Sequence, residues 1–157
     1  MKVAFWMIGK TSFPWITEGV QVYEKRLKHF IKLETQIFAD IKKAGTLSPD
    51  QLKNKEGDQF LNKILPTDTL ILLDESGKEM DSKKFASFMD QQFQHSSKRI
   101  VFVIGGAYGF SDSIKKRANH LLSLSKMTYS HQIIRVIFME QLYRAMTILR
   151  NLPYHNE

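Results

Sequence analysis

The sequence contains no cysteine, and this absence excludes disulfides, thiolate zinc sites and cysteine nucleophiles. It also has no apolar run of about 18 residues, so a membrane-spanning helix is not expected. The first ten residues carry no small-residue cleavage site and predict a strand rather than a signal peptide. These absences together predict a cytoplasmic protein in a reducing compartment.

Acidic residues are few beside the basic ones: 16 Asp and Glu stand against 23 Lys and Arg, a net charge of +7. This surplus favours a polyanionic partner, with nucleic acid first, although a basic surface without such a partner explains the charge equally well. The basic residues gather in short groups at 25–32, 42–43, 98–99 and 115–117. The histidines show no metal-ligand spacing, so no metal site is predicted.

What the sequence does contain is an alternation of apolar runs and amphipathic segments. The apolar runs predict strands at 2–9, 33–39, 69–74, 99–105 and 120–124. Helical spacing and start signals predict helices at 14–30, 49–65 and 82–94, a short one from 112, and a last one at 130–150. Apolar strands separated by helices imply a mostly parallel sheet of about five strands with helices on both faces. No repeat or linker divides the chain, so one α/β domain over residues 1–157 is expected.

Three local signals refine this prediction. Ser12 followed by Pro14 predicts the start of the first helix, and Ser48 with Gln51 predicts a capping box at the start of the second. The tetrapeptide ESGK at 75–78 predicts a turn that ends the third strand.

The last predicted helix is apolar nearly all the way round. Ile133 and Ile137 lie on the side opposite to Phe138 and Leu142. Such a helix must be covered on more than one side. We therefore expect one side to pack on the sheet of its own chain and the other to meet a second subunit across a two-fold axis.

A glycine loop, residues 105–109, follows the predicted fourth strand. Glycines directly after a parallel strand let the backbone approach a ligand, although a plain tight turn is the alternative. The spacing differs from the dinucleotide fingerprint, and no acidic residue occurs between Asp112 and Glu140, so a nicotinamide cofactor is not expected. The triplet at 9–11 lacks the upstream glycine of a phosphate loop and is attributed to chance.

Polar residues cluster around the predicted last helix. Glu140 and Arg144 have the spacing of an ordinary helix ion pair. Tyr154 and His155 lie beyond the helix and are either a frayed end or residues that fold back over a ligand cleft beside the glycine loop. In that position Tyr154 would stack on a base and His155 would contact RNA.

Several motifs in the same order resemble one family over essentially the whole chain. They are KVAFWMIGK at 2–10, KEGDQFL at 55–61, LLDESGK at 72–78, VIGGAYGF at 103–110, LSLSKMTYSHQIIRVIFMEQLYRA at 122–145 and PYH at 153–155. They are similar to the ribosomal RNA large subunit methyltransferase H family, minimal members of the SPOUT class. The resemblance implies an α/β fold with a C-terminal trefoil knot, a homodimer, and S-adenosylmethionine-dependent methylation of N3 of a pseudouridine in a 23S rRNA stem-loop on assembled ribosomes.

The resemblance also implies which residues form the site. Cofactor contacts would fall on Leu73, Gly105, Leu124, Ser125, Lys126, Met127, Thr128 and Tyr129. The candidates for handling the base are His131 and Arg135, together with Tyr154 and His155 of the partner. Arg135 would stabilise the charge of the deprotonated base and His131 would orient it. The alternatives are a non-catalytic RNA-binding module, which leaves the glycine loop unexplained, and a nucleotide-dependent oxidoreductase, which lacks the acidic ribose partner.

Overall fold

A computed structural model describes residues 2–95 and 98–156 of the chain. The strands are β1 (Lys2–Ile8), β2 (Lys32–Phe38), β3 (Asp68–Glu79), β4 (Arg99–Ile104) and β5 (His120–Ser123). The α-helices are α1 (Pro14–Leu27), α2 (Pro49–Leu61), α3 (Ser82–His95), α4 (Asp112–Arg117) and α5 (Ile133–Leu149). The five strands are all parallel and lie in the order β2-β1-β4-β3-β5. The predicted parallel sheet is confirmed.

The central strands are buried on both faces, which is why they are apolar throughout. Because side chains alternate along a strand, Phe5 and Phe102 point to one face, where α1, α3 and α5 pack. Trp6 and Val103 point to the opposite face, against Phe60 of α2 and the neighbouring helix α4. Helices therefore cover both faces, as the sequence predicted.

The starts of the first two helices agree with the local sequence to different degrees. At α2 the capping box is present: Gln51 N–H donates to Ser48 Oγ at 3.2 Å, and Ser48 N–H donates to Gln51 Oε1 at 2.9 Å. At α1 the N-cap is Phe13, so the prediction that Ser12 begins this helix is wrong. Ser12 instead contacts the segment before α5, where its N–H donates to Gln132 Oε1 at 2.9 Å.

Two helices end earlier than predicted. Helix α1 ends at Leu27 rather than at residue 30, because the N–H groups of Phe30 and Ile31 both turn back to the Leu27 carbonyl. Helix α2 ends at Leu61 rather than at residue 65. The chain after α2 is held by a turn in which Leu65 N–H donates to the Asp68 carboxylate at 2.8 Å.

The predicted turn at 75–78 is wrong, since β3 continues to Glu79. The strand shifts register between Leu73 and Lys78 and then pairs again with β5. Gly77 permits the close approach of β3 to the backbone of β5, because a Cβ at this position would lie 2.6 Å from the backbone nitrogen of Leu122. The segment thus bends over β5 instead of reversing.

Helix α5 begins at Ile133, three residues later than predicted, and the Ser130 hydroxyl accepts the Ile133 N–H at 3.2 Å. It packs on the sheet between α1 and α3, so helices of the same chain cover part of its apolar circumference. Ile133 and Ile137 stay half-buried within the chain. A second subunit over these residues remains a prediction.

Candidate active site

A cavity of about 720 Å³ opens at the bend of β3 and where β4 and β5 end. Its walls are the bend of β3 at 73–76, the glycine loop with its neighbours at 104–110, and the end of β5 with the chain that follows it, at 123–125 and 127–131. Lys115 and Ile134 add side chains. Ligands of parallel α/β sheets bind outside the carboxyl ends of the strands. The cavity therefore has the position of a ligand site.

The glycine loop presents backbone to the cavity. Gly109 N–H donates to the Gly106 carbonyl at 3.2 Å, and Gly109 has a φ of +82°, in the region that favours glycine. At Gly105 a Cβ would lie 3.1 Å from Phe110 Cε1, closer than an ordinary contact. The loop is therefore compact, and side chains at its first glycines would displace their neighbours.

Glu56 of α2 holds the glycine loop by a hydrogen bond. Its carboxylate accepts the Gly106 N–H at 3.2 Å, and a Cβ on Gly106 would lie 2.5 Å from Glu56 Oε2. Glu56 is only 8% exposed. This burial raises the pKa of Glu56; the bond from Gly106 lowers it and the nearby charge of Asp40 raises it further. Sequence reasoning missed Glu56, although it lies in the motif KEGDQFL.

The chain after β5 forms the opposite wall and is folded on itself. Ser123 Oγ donates to the Ser125 carbonyl at 2.9 Å, and the Ser125 hydroxyl accepts the Met127 N–H at 2.9 Å. Thr128 Oγ1 donates to the Glu75 carboxylate at 3.3 Å, which ties this wall to the bend of β3. The cavity is thus closed on two sides by segments that hold each other.

Most residues predicted to contact a cofactor line this cavity: Leu73, Gly105, Leu124, Ser125, Met127, Thr128 and Tyr129. His131 lines it as well. Lys126 lies outside the lining, with its side chain 86% exposed and its Nζ 4.0 Å from Glu79 Oε1.

Arg135 does not line the cavity, because the fold uses it internally. It is 0% exposed, and its guanidinium donates to the carbonyls of Ile8 and Gly9 at 2.8 and 2.9 Å. It also donates to Thr11 Oγ1 at 2.8 Å. Burial lowers the pKa of Arg135, partly offset by the charge of Asp40. These bonds tie α5 to the end of β1 and leave the guanidinium directed away from solvent.

A second polar group, which we name the α5 cluster, consists of Glu140, Arg144, Tyr154 and His155. The predicted Glu140–Arg144 ion pair is confirmed, with Arg144 Nη2 2.6 Å from Glu140 Oε1. Tyr154 donates its hydroxyl to the same oxygen at 3.1 Å. His155 Nδ1 lies 3.3 Å from Arg144 Nη1. Tyr154 and His155 are therefore anchored on α5, and they do not fold back over the cavity of their own chain.

The surroundings of Tyr154 determine the protonation state of its hydroxyl. Burial raises the pKa of its hydroxyl well above the usual range, and bonds and charges from Tyr23 and Glu140 raise it further. The guanidinium of Arg144 lies over the Tyr154 ring, 4.8 Å from its centroid. Tyr154 therefore stays protonated at neutral pH and serves as a hydrogen-bond donor.

The α5 cluster and the cavity lie at opposite ends of one helix. Ile134, which lines the cavity, and Arg144 are ten residues apart on α5. At about 1.5 Å per residue, this separation is roughly 15 Å along the helix axis. The cavity and Arg144 of one chain are therefore separated along α5.

Within residues 2–95 and 98–156, no helix combines the length and the apolar character needed to cross a membrane. No group of three or more His, Cys, Asp or Glu side chains in those ranges could hold a metal ion.

The comparisons with known proteins agree with this architecture. A family model described as "Predicted SPOUT methyltransferase" matches residues 1–155. A curated relative from Parabacteroides distasonis is 48% identical over 157 residues, covering 100% of both chains. One from Christiangramia forsetii is 45% identical over 156 residues, or 99% of each. Both are named ribosomal RNA large subunit methyltransferase H.

A methyltransferase structure from Legionella pneumophila, solved with bound S-adenosylmethionine, aligns with 95% of this chain and 66% of its own, at a TM-score of 0.48 and 14% identity. That similarity is too low to support a conclusion about this chain. The protein belongs to the SPOUT methyltransferases, in the ribosomal RNA large subunit methyltransferase H family, because the family model and the full-length relatives both match nearly the whole chain.

Proposed function

We propose that this methyltransferase transfers the methyl group of S-adenosylmethionine to N3 of a pseudouridine in a 23S rRNA stem-loop, on assembled ribosomes in the cytoplasm. The observation that carries the proposal is the cavity at the bend of β3 and the carboxyl ends of β4 and β5, with its backbone walls. The names of the full-length relatives and the net charge of +7 support ribosomal RNA as the substrate.

The cavity residues fit a nucleoside cofactor. The glycine loop offers backbone where a Cβ would be crowded, and Ser125 to Tyr129 offer carbonyls and N–H groups to an adenine edge. Leu73, Ile104 and Leu124 add apolar surface for the ring. When bound there, S-adenosylmethionine would supply the activated methyl group.

The α5 cluster provides the groups that handle the base. As N3 loses its proton, negative charge spreads to the neighbouring carbonyl oxygens of the ring. Arg144 offers its remaining N–H donors to these oxygens, and Glu140, which accepts from both Arg144 and the Tyr154 hydroxyl, holds the two side chains in place. The donors are preorganised by the fold, so little reorganisation accompanies the reaction.

The distance between cavity and cluster supports a homodimer. Ile134 at the cavity and Arg144 of the same chain are roughly 15 Å apart along α5, which favours an α5 cluster that serves the cavity of a second copy. The half-buried Ile133 and Ile137 and the exposed Trp15 supply apolar surface for such an interface. In this arrangement Tyr154 and His155 of the partner reach the base, as the resemblance implies.

The roles of His131 and Arg135 differ in this proposal. His131 lines the cavity and orients the base beside the methyl donor. Arg135 is a positioning residue, because its buried bonds to Ile8, Gly9 and Thr11 hold the end of β1 against α5. The stabilising charge is assigned to Arg144 instead.

We further propose that the chain forms one domain whose C-terminal segment is threaded as a trefoil knot. The bend of β3 over β5 at Gly77 and the mutually tied walls at Glu75 and Thr128 support this arrangement.

Transfer of tritiated methyl groups from S-adenosylmethionine to whole ribosomes and to free 23S rRNA tests the proposal. We expect incorporation into 23S rRNA, located at N3 of one pseudouridine by mass spectrometry, and higher on ribosomes. Separate calorimetric titrations with S-adenosylmethionine and with NAD measure which of the two cofactors the protein binds. RNA binding without methyl incorporation or cofactor binding would indicate a non-catalytic module, and NAD binding alone would indicate an oxidoreductase.

A further inference from the structure

Arginines and aromatic rings alternate on the surface that continues from the α5 cluster towards α1. Tyr143 is the centre, with its ring centroid 4.8 Å from that of Tyr154 and 6.0 Å from those of Tyr23 and Phe30. Arg26 lies over two of these rings, 5.7 Å from the centroid of Tyr23 and 5.5 Å from that of Tyr143. We name the group formed by Tyr23, Arg26, Phe30, Tyr143 and Arg150 the arginine–aromatic ladder.

The two guanidiniums of the ladder are exposed and carry uncompensated charge. Arg150 lies over Phe30 at 5.9 Å, and this contact, like those of Arg26, is with a ring. Within residues 2–95 and 98–156, neither Arg26 nor Arg150 has a carboxylate at ion-pair distance or a side-chain hydrogen bond. Glu24, on the same turn of α1, accepts the hydroxyl of Thr35 instead.

A guanidinium on an aromatic face is held in place while its N–H edge stays open. Stacking restrains the side chain without using its five donors, which match phosphate oxygens bidentately. Arg26 is flanked by exposed Lys25, Lys28 and Lys32, so further basic side chains lie beside the ladder. This surface is therefore complementary to a nucleic acid backbone, whose affinity comes mainly from neutralised phosphates.

We propose that the arginine–aromatic ladder docks the phosphate backbone of the RNA whose base is presented to the α5 cluster. This proposal rests on the proposed function for its choice of RNA, and it adds the surface that holds the RNA. Tyr154 belongs to the cluster and touches Tyr143 of the ladder, so one strand of RNA spans both. A second copy of the chain is disfavoured as occupant, because a two-fold interface centred here would bring like charges together.

The test is binding of a fluorescein-labelled RNA hairpin and of purified large ribosomal subunits, without cofactor, over a range of KCl concentrations. For Arg26→Gln/Arg150→Gln we expect affinity about tenfold lower, and a salt slope reduced by roughly 0.7–0.9 per lost phosphate contact. Arg26→Lys/Arg150→Lys should recover the slope but only part of the affinity, since lysine keeps the charge and loses the planar fork.

The matched control is Lys42→Gln/Lys55→Gln, which removes the same charge from exposed positions outside the ladder, Lys55 being on α2. We expect this control to bind within about twofold of the unmodified protein. Equal losses in both double variants would overturn the ladder, because net charge alone would then explain them. Undiminished RNA binding by Arg26→Gln/Arg150→Gln would also overturn the proposal. If that variant in addition has the mass of a monomer, the face would be an interface with a second copy of the chain.

Failure of the ladder and failure of the proposed function give different results. If the unmodified protein binds neither hairpin nor subunits, the proposed RNA substrate is wrong. If it binds them and the arginine variant binds equally well, only the ladder is wrong. The affinities of all variants for S-adenosylmethionine should equal that of the unmodified protein, since the ladder does not line the cavity.

Discussion

The two ends of α5 are built in different ways. At its N-terminal end the cavity is formed largely by backbone, from the glycine loop and the folded segment after β5. At its C-terminal end the α5 cluster consists of side chains that contact each other, with Glu140 accepting from both Arg144 and Tyr154. A backbone site suits a cofactor of constant shape, whereas a side-chain cluster suits a base that changes charge during the reaction. Substitutions at the two ends should therefore fail in different measurements.

The largest effect is expected for Arg144→Gln. This change removes the cation that is proposed to stabilise the deprotonated base, and it leaves Glu140 without its ion pair. We expect single-turnover methyl transfer to ribosomes to fall by about 10²–10³-fold. The control is Arg150→Gln, which lies outside the cluster and should alter RNA binding and not the rate at saturating ribosomes. A normal rate for Arg144→Gln would remove this residue from the chemistry.

Arg135→Ala should act on stability. It deletes a buried guanidinium and leaves the carbonyls of Ile8 and Gly9 without their donor. We expect the free energy of unfolding in urea to fall by about 3 kcal/mol or more. At the exposed Arg150, the same change to alanine should cost less than about 1 kcal/mol. A stable Arg135→Ala variant with a slow methyl-transfer step would instead support the catalytic role that the sequence suggested.

Gly106→Ala tests the backbone character of the cavity. The added Cβ would lie 2.5 Å from Glu56 Oε2, so either the loop or α2 must shift. We expect affinity for S-adenosylmethionine to fall about tenfold in calorimetry, or about 1.4 kcal/mol. Gly45→Ala is the control, because a Cβ there meets nothing within 4 Å. Equal affinities for all three proteins would show that the loop tolerates side chains.

The smallest effect is expected for Glu56→Gln, and it depends on pH. Burial raises the pKa of Glu56 in the folded state, so the folded chain binds its proton more tightly than the unfolded chain. The stability from this residue is complete below the ordinary glutamate pKa of 4.5 and is lost as pH rises through the raised value. The unfolding free energy of the unmodified protein, minus that of Glu56→Gln, should therefore fall as pH rises. A difference that stays constant with pH would contradict this account.

Much of the fold could be predicted because its causes are local. The buried strands, the capping box at Ser48 and the Glu140–Arg144 pair depend on residues that are near in sequence. The position of the cavity also follows from glycines placed directly after an apolar strand. These features survive in the structure because the tertiary contacts act in the same direction as the local preferences.

The missed features are those created by long-range contacts. Glu56 reaches Gly106 across fifty residues, and a glutamate in a helix gives no local sign that it is buried. Arg135 has the spacing of a site residue beside His131, yet its partners Ile8 and Gly9 lie more than a hundred residues away. The turn predicted at ESGK fails for the same reason, because β3 pairs with β5 again at Lys78 and Glu79, after the register shift.

The most direct test of the division between the two ends is Tyr154→Phe, assayed for both functions in one preparation. This change removes only the hydroxyl that donates to Glu140. We predict that the Kd for S-adenosylmethionine stays within about twofold, while methyl transfer to ribosomes falls at least about tenfold. A variant that loses cofactor affinity in proportion to its activity, or that loses neither, would contradict the account.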